Sequence, residues 1–224
     1  MGVRVKICGI TSAEAADAAV RARADLAGFV FHAPSSRNLR FEQASAMARQ
    51  VRGRIRVVAL MADPSDEQVA AVAQAVAPDY FQLHGRETPA RVGELVTRFR
   101  IPAIKGFGVA EAADLANVAA YNDVAEMFLF DAKAPASAAT PGGHGVAFDW
   151  QLLKGRKFAR PWLLAGGLDA GNVARAIAAA EAPGVDVSSG VESAPGVKDA
   201  ERIRAFVDAA RGARIADQTT EKSA

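Results

Sequence analysis

The sequence is poor in the residues from which covalent or metal frameworks are built. It has a single cysteine, Cys8, so no disulfide can form within the chain, and a reducing compartment is expected. Its three histidines, His32, His84 and His144, lack the spacing of a zinc site, so no metal is expected. No run of apolar residues is long enough to span a bilayer, and the opening Met1-Gly2-Val3-Arg4-Val5-Lys6-Ile7 is not a charged segment followed by an apolar leader. The reading is a soluble, cytoplasmic protein with no membrane partner. Long blocks of one charge are also missing. The 27 basic and 25 acidic side chains are interspersed and leave a formal net charge of +2, which makes nucleic acid a poor partner. The G-x-G-x-x-G turn of dinucleotide-binding sheets does not follow the first apolar run, which disfavours an open doubly wound sheet, the alternative to a closed barrel for a chain of this kind.

What the chain does have is alternation. Half of its 224 residues are hydrophobic, enough for one domain with a sizeable core. Short apolar runs rich in β-branched and aromatic residues occur at 3–8, 27–31, 56–60, 80–83, 103–107, 127–130, 162–165 and 185–187. Alanine-rich stretches with helical spacing lie between and after them, at 12–24, 41–52, 65–77, 89–99, 110–120, 148–153, 170–180 and 197–211. Thr11 or Ser12, with Glu14 placed for a capping box, opens the first, and Asp63-Pro64-Ser65 precedes the third. The strands read as continuous apolar runs, as in a parallel sheet covered by crossover helices. Eight strand–helix units predict an α/β protein, a (β/α)8 TIM barrel forming a single domain over 1–211. The polar, aperiodic tail at 212–224 is expected to be disordered. A glycine-rich connection at 132–146 follows the sixth strand, where a substrate lid or an ordinary surface loop would fit.

In such a barrel the chemistry gathers at the C-terminal ends of the strands, so the polar residues that follow each apolar run are the candidates. Cys8 ends the first strand, with Gly9 leaving room for a substrate and Lys6 favouring the thiolate if it points nearby; inert core packing is the alternative. Asp131 ends the sixth strand, where partial desolvation suits a carboxyl that hands on a proton, although a helix cap is as good a reading of that residue alone. Arg37, in the loop after the second strand, carries a planar fork suited to a carboxylate. His84 follows the fourth strand and can lie beside a planar ring, donate a hydrogen bond or serve structure only. The loops Ala165-Gly166-Gly167-Leu168 and Asp186-Val187-Ser188-Ser189-Gly190-Val191-Glu192 follow the seventh and eighth strands, where this fold commonly holds a phosphate on backbone N–H groups and hydroxyls.

Taken in order, Lys6-Ile7-Cys8-Gly9-Ile10-Thr11, Gly28-Phe29-Val30-Phe31, Ser35-Ser36-Arg37, Gln82-Leu83-His84-Gly85, Phe130-Asp131 and the two phosphate loops resemble the phosphoribosylanthranilate isomerase family over nearly the whole chain before the tail. The resemblance implies a cofactor-free Amadori rearrangement of a phosphorylated small molecule in tryptophan biosynthesis. It makes Cys8 the general base and Asp131 the general acid, assigns Arg37 to the substrate carboxylate, and assigns Gly166, Gly167, Ser188, Ser189 and Gly190 to the phosphate. Asp186 and His84 become secondary substrate contacts. Ser36 stands where the family often has proline, and His144 interrupts the usual Gly-Gly-Thr/Ser-Gly run. The related histidine-pathway isomerase uses two aspartates and two phosphate sites, which Cys8 and a single phosphate site disfavour. An indoleglycerol-phosphate synthase needs a lysine and glutamate set that is not apparent. A silent phosphosugar-binding barrel is the remaining alternative, since fold does not establish activity. No apolar interface segment stands out, so a monomer is expected.

Overall fold

The computed structural model describes residues 2–133 and 147–213. Eight parallel strands close into a barrel in chain order: β1 Arg4–Cys8, β2 Leu26–Val30, β3 Arg56–Met61, β4 Tyr80–Leu83, β5 Ala103–Val109, β6 Met127–Ala132, β7 Trp162–Leu164 and β8 Gly184–Val187. The seam between first and last strand pairs Arg4 with Gly184, Val5 with Val185, Lys6 with Asp186 and Ile7 with Val187. Successive side chains on a strand point to opposite faces, so each run feeds two cores. One lies inside the barrel and contains Leu26, Val58, Ile104, Met127, Leu129, Leu163 and Ala165. The other lies between sheet and helices and takes the intervening residues, among them Ile7, Ala27, Val57, Phe81, Phe128 and Phe130. This division explains why the strands read as unbroken apolar runs.

Among the described residues six α-helices pack outside: α1 Ala13–Arg21, α2 Phe41–Val51, α3 Asp66–Val76, α4 Pro89–Phe99, α5 Val173–Ala180 and α6 Ala200–Gly212. Their ends follow local chemistry. Ser12, Ser65 and Thr88 cap α1, α3 and α4 by accepting from backbone N–H groups, and Pro89 occupies the first turn of α4, where its missing donor costs nothing. Because Ser12 itself is the cap, Glu14 falls one position short of the capping box expected for it.

Three of the expected helices are altered. The segment 110–120 forms two 3-10 turns, Ala112–Leu115 and Val118–Tyr121. Its alanines favour a helix, but the Asp114 carboxylate accepts from the Ala110 and Glu111 N–H groups, a local bond that competes with helical pairing. The segment 148–153 shortens to one 3-10 turn, Trp150–Leu153, capped by Asp149 and followed by Gly155 at φ 69°. The last helix starts at Ala200, three residues later than expected, because Val197 belongs to a hairpin. Its strands are β9 Glu192–Ala194 and β10 Val197–Lys198, joined through Pro195 and Gly196. At the other end α6 reaches Gly212, just past the expected edge of the domain. Most of the expected lid, including His144, and most of the tail lie outside the described residues.

Candidate active site

Every candidate from the sequence lies at one end of the barrel, at or just beyond the C-terminal ends of the strands. Cys8 is the last residue of β1 and is buried. Asp131 stands near the end of β6, two residues after the interior Leu129, which places its carboxyl on the inner face. His84 follows β4, and its Nε2 lies 3.4 Å from Asp131 Oδ2. On its other side His84 Nδ1 is 3.0 Å from Gln82 Nε2. With the amide placed that way, the Gln82 N–H donates to Nδ1, and Nε2 is the ring nitrogen that faces the Asp131 carboxyl group. Asp131 Oδ1 also accepts from the Ala132 N–H at 2.9 Å.

Below these residues sits a buried ion pair. Lys6 Nζ lies 2.8 Å from Asp186 Oδ1, and the two residues are registered neighbours across the seam. The lysine is fully enclosed. Burial works against its charge, yet Asp186 and Cys8 together hold its pKa above the ordinary lysine value. Burial likewise pushes the Cys8 thiol up, with Lys6 pulling in the opposite direction. The Asp186 carboxyl is also raised by burial, again against the pull of Lys6. Lys6 thus points where the thiolate argument needs it, although burial outweighs it at the thiol.

Arg37 is more occupied than a solvated loop arginine. Its Nε and Nη2 donate to the two carboxylate oxygens of Glu192 at 2.7 and 2.8 Å, and Glu192 Oε1 also lies 2.6 Å from Lys198 Nζ. Lys198 in turn donates to the Ser188 carbonyl at 3.0 Å and hydroxyl at 3.3 Å. Burial alone would raise the Glu192 pKa, but its two cationic partners hold it down at about 2. Glu192 therefore ties the arginine fork to the loop after β8, and the remaining N–H groups of Arg37 stay available to an anion. Gly9 makes this possible: at φ 72° it suits glycine, and a methyl group there would come within 2.4 Å of Arg37 Cδ.

The two candidate phosphate loops pack directly on each other. A Cβ at Gly190 would lie 1.9 Å from the Leu168 carbonyl oxygen, so only glycine lets them meet. Gly166 and Gly167 both have positive φ, at 89° and 61°, and turn the chain over the barrel mouth after β7. Ser189 and Gly190 lie in a short 3-10 turn immediately after Ser188.

The fold therefore brings Cys8, His84, Asp131 and Asp186 together with a clamp of Arg37 and two stacked loops. Sequence reasoning gave no role to Glu192, Lys198 or Gln82. Glu192 and Lys198 stand six positions apart, and the hairpin between them is what makes them partners. The Ala194-Pro195-Gly196-Val197 turn was the available signal, since Pro followed by Gly suits the two central positions of a tight reversal. Gln82 reads as one polar residue in an apolar strand, and only the closed barrel shows that it faces His84.

A family model described as N-(5'-phosphoribosyl)anthranilate (PRA) isomerase matches residues 5–209. The chain belongs to the N-(5'-phosphoribosyl)anthranilate isomerase family. A relative named as that isomerase from Nitrobacter winogradskyi is 50% identical over 213 residues, covering 95% of both chains. The crystal structure of phosphoribosyl anthranilate isomerase from Thermotoga maritima is 36% identical, covers 94% of this chain and 99% of its own, and superposes with a TM-score of 0.82. A further phosphoribosyl anthranilate isomerase, solved in complex with reduced 1-(o-carboxyphenylamino)-1-deoxyribulose 5-phosphate, is 34% identical over 94% of this chain and 99% of its own, with a TM-score of 0.80. The isomerase family and the closed barrel thus agree with the reading of the sequence.

Proposed function

We propose that this barrel mouth isomerises N-(5'-phosphoribosyl)anthranilate to 1-(2-carboxyphenylamino)-1-deoxyribulose 5-phosphate, a step of tryptophan biosynthesis, with Asp131 as general acid and Cys8 as general base. The observation that carries this reading is the gathering of Cys8 and Asp131 at one barrel mouth in a chain of the isomerase family. Asp131 protonates the ribose ring oxygen while the amine nitrogen lone pair expels it, opening the ring to a Schiff base. The Cys8 thiolate then takes the proton from ribose carbon 2, giving an enolamine. Proton transfer to carbon 1 and loss of the hydroxyl proton at carbon 2 yield the ketone. Two protons enter, at the ring oxygen and carbon 1, and two leave, from carbon 2 and its hydroxyl, so the rearrangement balances without an oxidant.

The anchors follow from charge and shape. Arg37, braced by Glu192, takes the anthranilate carboxylate, while Gly166, Gly167, Ser188, Ser189 and Gly190 take the phosphate through backbone and hydroxyl donors. His84 supports Asp131 through the 3.4 Å contact and contributes to the substrate surface. Asp186 lines the floor beside Cys8 and makes a secondary substrate contact. Fixing both ends of the substrate places the reacting carbons between acid and base.

The test is loss of phosphoribosylanthranilate fluorescence, with substrate generated in situ, in wild type, Cys8→Ala and Asp131→Asn of verified fold. Each substitution is expected to lower kcat by about 10²–10⁴-fold with KM little changed. Near-normal turnover in either variant removes that residue's role, and a folded, inactive wild type leaves a silent phosphosugar-binding barrel.

The same reading makes the protein a cytoplasmic monomer. Among the described residues no helix is long and apolar enough to cross a membrane. The large hydrophobic side chains that stand exposed there, Phe41 and Val197, are isolated ones. A Thermotoga maritima relative is described as dimeric, so sedimentation velocity on the assayed preparation decides the point; a dimer would overturn the monomer.

A further inference from the structure

Catalysis by a thiol poses a problem that the site must solve locally. Cys8 is the base only as thiolate, yet it is buried and its surroundings oppose charge. The groups that bear on it come from four places. Lys6 lies on its own strand, Asp186 on β8, Lys198 on β10 and Arg37 in the loop after β2. Asp131 and His84 face Asp186 from the other side of the mouth. Two of the cations are already engaged with Glu192.

Lys6 differs from those two. It is fully buried, and burying an ammonium is costly unless it is paired and hydrogen-bonded. Its ion partner is the single carboxylate of Asp186 at 2.8 Å, which leaves two ammonium protons to direct elsewhere. A methyl group on Gly28 would lie 3.0 Å from Cys8 Sγ and 3.2 Å from Lys6 Nζ, so thiol and ammonium stand over the same bare glycine. Gly28 pairs with Cys8 in the sheet, so the niche is fixed by strand register and not by a mobile loop. An inert core cysteine has no need of a buried cation beside it.

We infer that Lys6 is the group that makes Cys8 a base: its ammonium, aimed by Asp186 and admitted by Gly28, stabilises the thiolate until it takes the proton from the substrate. Lys6 is enclosed in the sulfur's niche and acts through Cys8, so it is a positioning and charge-balancing residue. Asp186 acts in two opposed ways. It orients Lys6, and its own negative charge works against the thiolate. Substitutions at the two positions are therefore expected to move the thiol in opposite directions, which simple disruption of packing would not do.

The inference rests on Cys8 as the base, and its test reads the thiol directly. Cys8 is the only cysteine in the sequence, so iodoacetamide labelling of the intact protein, followed by mass spectrometry, reports that sulfur alone. The pH dependence of the labelling rate is measured in wild type, Lys6→Met, Asp186→Asn and the charge-neutral Lys6→Met/Asp186→Asn double variant. Asp186→Asn is expected to label fastest, then wild type, then the double variant, with Lys6→Met slowest. Adjacent steps should shift the labelling midpoint by about one pH unit, a tenfold change in rate below the midpoint. The acid limb of the kcat profile should move in the same order. If Lys6→Met leaves an unpaired carboxylate that prevents folding, Asp186→Asn and the double variant still bracket wild type from both sides. Equal midpoints in wild type, Asp186→Asn and the double variant, or any other order, overturn the inference. The two failures are distinct: turnover surviving in Cys8→Ala sinks the base assignment whatever the labelling shows, whereas a dead Cys8→Ala with a flat labelling series sinks only the role of Lys6.

Discussion

The two ends of the barrel interior are built from the same strands and have opposite chemistry. On β6 the inner face runs Met127, Leu129, Asp131; on β7 it runs Leu163 and Ala165 before the Gly166–Gly167 turn; on β4 it passes from Tyr80 to Gln82 and on to His84. At the base the side chains close a largely apolar plug. One or two inward-facing steps later the same strands present a thiol, carboxyls, an imidazole and a buried lysine. The difference teaches where the chain keeps its stability and where it gives stability up. The plug gains from burial, whereas in low-dielectric surroundings Lys6 and Asp186 hold each other, Gln82 leans on His84, and Glu192 is held by Arg37 and Lys198.

That comparison breaks most visibly at the plug. Leu163 is almost wholly buried and belongs to the interior cluster. Leu163→Ala is expected to cost about 2–5 kcal/mol of unfolding free energy, from lost transfer and the cavity left behind. Urea unfolding reads this as a lower midpoint. At a temperature where the variant stays folded, kcat should remain within about twofold of wild type, since the mouth is supported from the strand ends and loops. A matching collapse of kcat would show that plug and mouth are one mechanical unit.

Much of the plug and the position of the mouth were legible in the sequence, because both follow from local rules. Apolar runs of three to six residues give strands, and the polar residue at or just after the end of a run falls at the mouth, as Cys8 and Asp131 do. What escaped was set by contacts distant in sequence. Arg37 looked like a free fork because its partner, Glu192, lies 155 residues away. Lys198 was assigned to a helix because the hairpin that reverses the chain at Pro195-Gly196 borders directly on α6. The segment at 110–120 has helical composition, and Asp114 overrides it through bonds to the preceding backbone. Propensity decided the long elements, and single polar side chains decided the short ones.

At the rim the comparison sharpens into a question of what an ion pair does. Glu192→Gln keeps the shape of the brace and removes its charge, so Arg37 loses a bidentate anionic partner and Lys198 loses its buried counter-charge. KM is expected to rise about tenfold while kcat changes less, as loss of substrate positioning requires. The pH dependence has a definite sign. Glu192 falls from its ordinary 4.5 to about 2 in the folded protein, so its contribution to stability is fully present above pH 4.5 and is lost as the pH falls toward 2. The stability gap between wild type and Glu192→Gln should therefore be constant near neutrality and close over that acid window. A gap that persists unchanged at pH 2 would mean that the charge is not what stabilises the hairpin.

The smallest effect is expected where mouth and plug meet. Gln82 is buried on β4; its amide nitrogen is engaged with His84, while its oxygen has no hydrogen-bond partner among the described residues. Leaving an acceptor dry is unfavourable, so Gln82→Leu removes one good contact and one unsatisfied group at nearly constant volume. The two changes oppose each other, and stability should stay within about 1 kcal/mol of wild type. Function should register the change more clearly. Without Gln82, the imidazole is no longer held with Nε2 toward Asp131, and kcat should fall a few-fold as the acid loses a fixed neighbour. Urea midpoints and kcat on the same preparation check both halves. A large loss of stability with unchanged kcat would place Gln82 with the plug, whereas the expected pattern places it with the mouth.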